Sequence, residues 1–116
     1  MKSDQCIFCE IAQGSLPAEI VYQSENIIAF KDIRPRAPVH ILIIPREHIP
    51  TLNDLEDGHQ HLVGEMFLVA RDIAKDLGLA ERGYRTVFNC NHDAGQEVYH
   101  IHLHLLGGRK FGWPPG

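Results

Sequence analysis

The sequence predicts an α+β fold, and three observations carry that prediction. One long segment, Asp57 to Leu77, repeats its apolar residues at helical spacing: Leu62, Met66, Val69 or Ala70, Ile73 and Leu77. Short β-rich segments lie on both sides of it, separated by turn residues. Val39 to Ile44 is a continuous apolar run broken only by His40, the pattern of a central strand buried on both faces. An antiparallel sheet of five strands with a helix on one face satisfies all three.

Taken in order, Cys6 to Gln13 reads as a short helix, with Phe8 and Ile11 on one side and Gly14 ending it. Pro17 follows, as suits a connector. Glu19 to Gln23 and Ile27 to Lys31 form a hairpin about Ser24, Glu25 and Asn26. Two prolines keep Arg34 to Pro38 irregular, since each lacks an N–H and restricts its predecessor. The long helix ends at Gly78. Arg85 to Asn89 reads as a fourth strand and Val98 to Leu106 as a fifth, with loop residues Asn91 to Gly95 between them. The tail from Phe111 to Gly116 is too rich in Pro and Gly for a regular element.

At 116 residues the chain is the size of one domain, 1–116. Its 44% hydrophobic and 22% charged residues are ordinary for a soluble globular protein. The net charge is -4 and there is no basic run, which argues against nucleic-acid backbone binding but leaves room for a single nucleotide. Met1 to Gln5 is polar, without a signal peptide's apolar stretch, and no segment is long enough to span a bilayer. Three cysteines are too few for a disulfide framework, so the expected compartment is the cytoplasm, with reduced thiols.

The candidate site lies near the C-terminus. In His100-Ile101-His102-Leu103-His104-Leu105-Leu106, imidazoles alternate with aliphatic side chains. A strand sends successive side chains to opposite faces. His100, His102 and His104 then share one face, while Tyr99, Ile101, Leu103 and Leu105 pack on a core. Imidazole can attack, shuttle protons or bind metal near neutral pH. Its adduct with phosphorus is itself reactive, so His102 can serve as nucleophile while its neighbours polarise phosphate oxygens and move a proton. Gly95, Gln96, Glu97 and Val98 can offer backbone N–H donors to an oxyanion, though Gly95 alone also suits a plain turn. His40 is either a satisfied core histidine or a group that orients a triad imidazole. Cys6 and Cys9 have the spacing that lets two sulfurs reach one metal ion; unused thiols and redox chemistry remain open. His59 and His61 read as solvent-facing helix residues, and Cys90 as buried.

Gly95-Gln96-Glu97-Val98-Tyr99-His100-Ile101-His102-Leu103-His104-Leu105-Leu106-Gly107-Gly108 resembles the signature of the histidine triad family. The likeness extends to Phe30 to Ile33, Ala37 to Pro45, Asp76 to Leu79, Gly83 to Arg85 and the tail Trp113 to Gly116. These are similar to the branch of purine nucleoside phosphoramidases. The resemblance implies a homodimer whose sheets join. It implies cleavage of the P–N bond of purine nucleoside 5′-phosphoramidates through a nucleotidyl-histidine, giving the monophosphate, with no organic cofactor. It makes His102 the nucleophile, sets His104 on the phosphate and places His40 and His100 in a supporting network. It brings Asn89 to the phosphate region and Asp32 to the ribose diol. Phe8, Ile11, Leu16, Phe30 and Ile33 are to line the base pocket, and Gly95, Gln96, Glu97, Val98 and Trp113 join the substrate-binding set. Glu97 stands where better-known animal enzymes carry serine, a carboxylate suited to a cationic amine or a water. A zinc-binding subgroup implies structural zinc on Cys6, Cys9, His48 and His100. Two rival readings are a dinucleoside polyphosphate hydrolase and a nucleotide-binding regulatory protein.

Overall fold

The structure, a computed structural model, describes residues 6–116, so the expectation made for Met1 to Gln5 lies outside it. Helix α1 spans Ile7–Gln13. Strands β1 (Ile20–Gln23), β2 (Ile27–Lys31) and β3 (Val39–Pro45) follow. Helix α2 spans Gln60–Asp76, and strands β4 (Tyr84–Val87) and β5 (Leu103–Gly107) close the chain. The five strands form one antiparallel sheet in the order β1-β2-β3-β5-β4.

The sheet divides its work between two faces. Ile27 and Ala29 of β2, Ile41 and Ile43 of β3, and Leu103 and Leu105 of β5 meet Met66, Val69, Ala70, Ile73 and Ala74 of α2. Ile101 joins this core from the segment before β5. The alternate residues Ile28, Phe30, Leu42 and Ile44 turn the other way and pack on Phe8, Cys9 and Ile11 of α1. Burying each such aliphatic side chain contributes about 1.5–3 kcal/mol. Strands β2 and β3 are buried on both faces, as the continuous apolar run in β3 requires.

Local signals place the ends of α1. The Cys6 sulfur accepts from the Cys9 N–H, capping the start. Gly14 takes the left-handed conformation (φ 82°), and its N–H reaches the Glu10 and Ile11 carbonyls.

Five expectations need correction. Helix α2 starts at Gln60, not Asp57, because the Glu56 N–H donates to the His59 ring and closes a separate 3₁₀ turn over Asp57–His59. His59 is therefore a turn residue, with its Nε2 3.1 Å from a Glu47 carboxylate oxygen. The last strand begins at Leu103 rather than Val98. Continued past Ile43 and Leu103, the register sets Pro45 opposite Ile101; Pro45 has no N–H to donate, and its carbonyl is taken by the His100 ring at 2.8 Å. The Ile101 N–H turns instead to the Ile49 carbonyl. The alternation still survives from His100 to Leu106, but Tyr99 is exposed instead of packing on the core. Cys90 is half-buried.

Candidate active site

The triad forms because β5 and the segment before it keep alternating while β3 runs alongside. His104 is paired across the sheet with Leu42 of β3 and Val87 of β4. His40 of β3 lies diagonally from His104, close enough for their rings to bond. His100 is fully buried, and His102 and His40 nearly so.

Hydrogen bonds assign a proton to each ring. The Arg36 N–H donates to His40 Nδ1 at 3.0 Å, so the proton of His40 sits on Nε2. That N–H donates to His104 Nδ1 at 2.9 Å, which leaves His104 with its proton on Nε2. An Asp32 carboxylate oxygen stands 3.4 Å from the same His40 nitrogen. His102 Nδ1–H donates to the His100 carbonyl at 2.8 Å, leaving the Nε2 lone pair bare. Burial first of all keeps these rings neutral. The pKa values of His40 and His102 fall below the ordinary range, and that of His104 is pushed down to about 4 with the help of His102 and His40. A neutral, oriented imidazole with a bare nitrogen beside an imidazole N–H is equipped to attack an electrophile and bind its oxygens.

A cleft of about 630 Å³ opens in front of these rings, a volume within the range of small-ligand sites. Of the residues singled out in the sequence, it is lined by Phe8, Ile11, Leu16, Phe30, Asp32, Ile33, His40, Asn89, Gly95, Glu97, Val98, His102 and His104. Its apolar end is α1 with Phe30, where the Phe8 ring lies edge-on to Phe30 (5.5 Å) and to His102 (5.1 Å).

Gln96 and Trp113 do not reach the cleft in this chain. Gln96 is buried as a clamp, its amide donating to the Pro50 and Val98 carbonyls while its carbonyl accepts from the Asn91 N–H. The amides expected to face an oxyanion are also partly committed: Gly95 N–H bonds His92 and Gln96 N–H bonds Asn91. The amides of Glu97 and Val98 are the ones with no protein acceptor among the described residues. Trp113 is 83% exposed. Arg85 donates to the Gly112 carbonyl at 2.9 Å and Arg109 stacks on Phe111, which holds the tail beside β4. Leu42, Lys31, Arg34 and Arg36 also line the cleft and were not singled out in the sequence. Leu42 was findable, lying two residues beyond His40 on the same face. Lys31 ends β2, while Arg34 and Arg36 come in from a proline-rich loop that carries no periodic signal.

His100 leaves the cleft and faces a second cluster. Its Nε2–H is held by Pro45, so Nδ1 is bare and lies 3.4 Å from Cys6 Sγ, 3.5 Å from Cys9 Sγ and 3.3 Å from His48 Nδ1. Cys9 Sγ and His48 Nδ1 are 3.3 Å apart. These four donor atoms lie close enough to hold one metal ion. Tetrahedral zinc bonds of about 2.3 Å to sulfur and 2.0–2.1 Å to nitrogen imply edges of roughly 3.5 Å for S···N and 3.3 Å for N···N. The cluster fits those edges. Asp32, His40 and His104 also converge, but the 2.9 Å separation of the two rings is that of a hydrogen bond.

Comparison with known proteins agrees with this geometry. A family model described as the scavenger mRNA decapping enzyme C-terminal binding domain matches residues 5–111. The chain is 51% identical over 110 residues to the purine nucleoside phosphoramidase of Escherichia coli K12, covering 95% of this chain and 92% of that protein. A HIT family hydrolase from Legionella pneumophila superposes with a TM-score of 0.95 at 56% identity, covering 97% of this chain and all of that one (100%). A histidine triad protein from Clostridium difficile superposes with a TM-score of 0.93 at 41% identity, covering 97% of each chain. Sequence, fold and the arrangement of imidazoles agree: this chain belongs to the histidine triad family.

Proposed function

We propose that the protein is a purine nucleoside phosphoramidase, which hydrolyses the P–N bond of a nucleoside 5′-phosphoramidate to an amine and the nucleoside monophosphate. The carrying observation is the bare His102 nitrogen, fixed by the His100 carbonyl and lining a nucleotide-sized cleft. The name and 51% identity of the Escherichia coli relative support the same reading.

In this mechanism the base lies against Phe8, Ile11, Leu16, Phe30 and Ile33, and Asp32 accepts from the ribose hydroxyls. His104 Nε2–H and the Asn89 side chain bind phosphate oxygens, joined by the unpaired amides of Glu97 and Val98. His102 Nε2 attacks phosphorus. The N–P bond to His102 forms as the P–N bond to the amine breaks, and the amine departs with a proton taken from water. Glu97 holds that water or a cationic amine on the leaving side. A second water then attacks the nucleotidyl-His102, gives its proton to solvent and releases the monophosphate with the ring restored. Cys6, Cys9, His48 and His100 would hold zinc with four protein ligands, and zinc there would tie α1 to the sheet. The active form is a homodimer, for which exposed Phe67 and Tyr84 near the β4 edge offer an apolar surface.

The test is incubation with an adenosine 5′-phosphoramidate and detection of AMP, with diadenosine polyphosphates alongside. Preferential release of AMP from the phosphoramidate, and a nucleotidyl adduct mapped to His102 by mass spectrometry, is the expected result. Faster cleavage of the polyphosphates, or AMP binding without turnover on either substrate, would overturn it.

A further inference from the structure

The metal cluster and the cleft have no residue in common but meet at two, Phe8 and His100. On α1, Cys6 caps the first turn, Cys9 lies one turn on, and Phe8 sits between them. Both sulfurs face His100, while the intervening Phe8 ring forms the cleft wall against His102 and Phe30. The buried contacts of α1 are few, being Phe8, Cys9 and Ile11. One of the three is thus a metal-site sulfur and the other two line the cleft. His100 joins the two sites in the same way. Its ring nitrogen Nδ1 points to the sulfurs, and its own backbone carbonyl is the acceptor that fixes the His102 tautomer.

We infer that metal site and nucleotide cleft are one coupled unit, joined through Phe8 and the His100 backbone, so that each tightens when the other is filled. This rests on the reading of the cleft as a nucleotide site. A ligand set that pins Cys6, Cys9 and the His100 ring also pins the cleft wall between the sulfurs and the carbonyl behind the nucleophile. A nucleotide packed on Phe8 restrains the same turn of α1 from the other side. Coupling between two sites is reciprocal, so the effect is readable at the metal. Phe8 and His100 act here as positioning residues: Phe8 sets the cleft wall, and His100 sets the proton on His102.

The experiment loads the intact chain with zinc and measures zinc affinity by competition with a chelator, with and without saturating AMP. Circular dichroism first verifies that the metal-free chain stays folded; unfolding on chelation would overturn the route through Phe8 and His100, since any ligand of the folded state would then couple to the metal. AMP should tighten zinc binding by about fivefold or more, the lower end of common coupling strengths. Phe8→Leu keeps all four metal-site residues and should cut that factor to less than half, with AMP again at saturation. Nitrogen shifts of the His102 ring should show one Nδ1–H tautomer in loaded protein and a mixture after chelation. In a chain that stays folded without metal, a merely structural metal would move neither the factor nor the tautomer. Zinc affinity unchanged within twofold, with AMP binding verified by calorimetry, overturns the coupling and leaves the proposed activity standing. A chain that takes up no zinc overturns the coupling likewise. Failure of AMP to bind in any metal state overturns the coupling and the reading of the cleft together.

Discussion

Each ring of the triad is held by a different backbone acceptor or neighbour, so single substitutions should separate their roles. His102→Ala removes the attacking nitrogen and should lower phosphoramidate turnover by several orders of magnitude while AMP still binds, as calorimetry would register. His40→Gln leaves the nucleophile alone but unsettles the His104 proton. Turnover should fall roughly 10–100-fold with KM little changed, the usual scale for a group that orients an imidazole. His104 also gives a pH signature. Its ordinary value is 6.5 and burial pushes it down to about 4, so between these limits the unfolded chain takes up a proton that the folded chain refuses. Stability from this group is fully present above about pH 6.5 and is lost as pH falls toward about 4. Denaturation midpoints across that window should show the decline, and His104→Gln should make it shallower without abolishing it, since His40, His100 and His102 are shifted in the same direction. The period-two alternation and the family resemblance made the triad legible in the sequence, along with eleven further residues that line the cleft. The positions of Gln96 and Trp113 outside this chain's cleft were not. Gln96 bonds to Pro50, 46 residues away, a contact that no local pattern encodes. The residue before Trp113, Gly112, is held by Arg85 from 27 residues away, again a contact that no local pattern encodes.

At the scale of elements, α2 supplies much of the sheet's cover on one face, and Met66 is fully buried beneath it. Met66→Ala should destabilise the fold by about 2–5 kcal/mol, measured by urea unfolding, with little effect on AMP affinity because the cleft is on the opposite face. The strands and both helices were legible to within a few residues, since periodicity and the glycine at 14 are local signals. The exception is the start of β5. There side chains compete for the ladder: the His100 ring takes a β3 carbonyl and the His102 ring takes the carbonyl of His100. Alternation in the sequence reports which way side chains face. It does not report whether the backbone between them is paired.

Across the whole molecule, charge and apolar surface are unevenly spread. The chain carries a net charge of -4, yet Arg34 and Arg36 stand at the cleft, their side chains without an ion-pair partner among the described residues. Phe67 is exposed while its ring packs edge-on to Phe88, just beyond β4. If that surface joins two copies, sedimentation equilibrium should give twice the chain mass of 13.1 kDa, and Phe67→Glu should return it to the mass of one chain. None of the helices among the described residues is long and apolar enough to cross a membrane.

The alternation from His100 to Leu106 has a consequence for how this chain can change. Point substitutions there strike either the aliphatic layer under α2 or the row of imidazoles, one at a time. Loss or gain of one codon would do both at once: every ring upstream of it would swing beneath α2 and every aliphatic chain out into the cleft. The reading frame of seven residues is therefore far less tolerant of length variation than of spelling, and natural variants of this ribbon should differ by replacement and not by length.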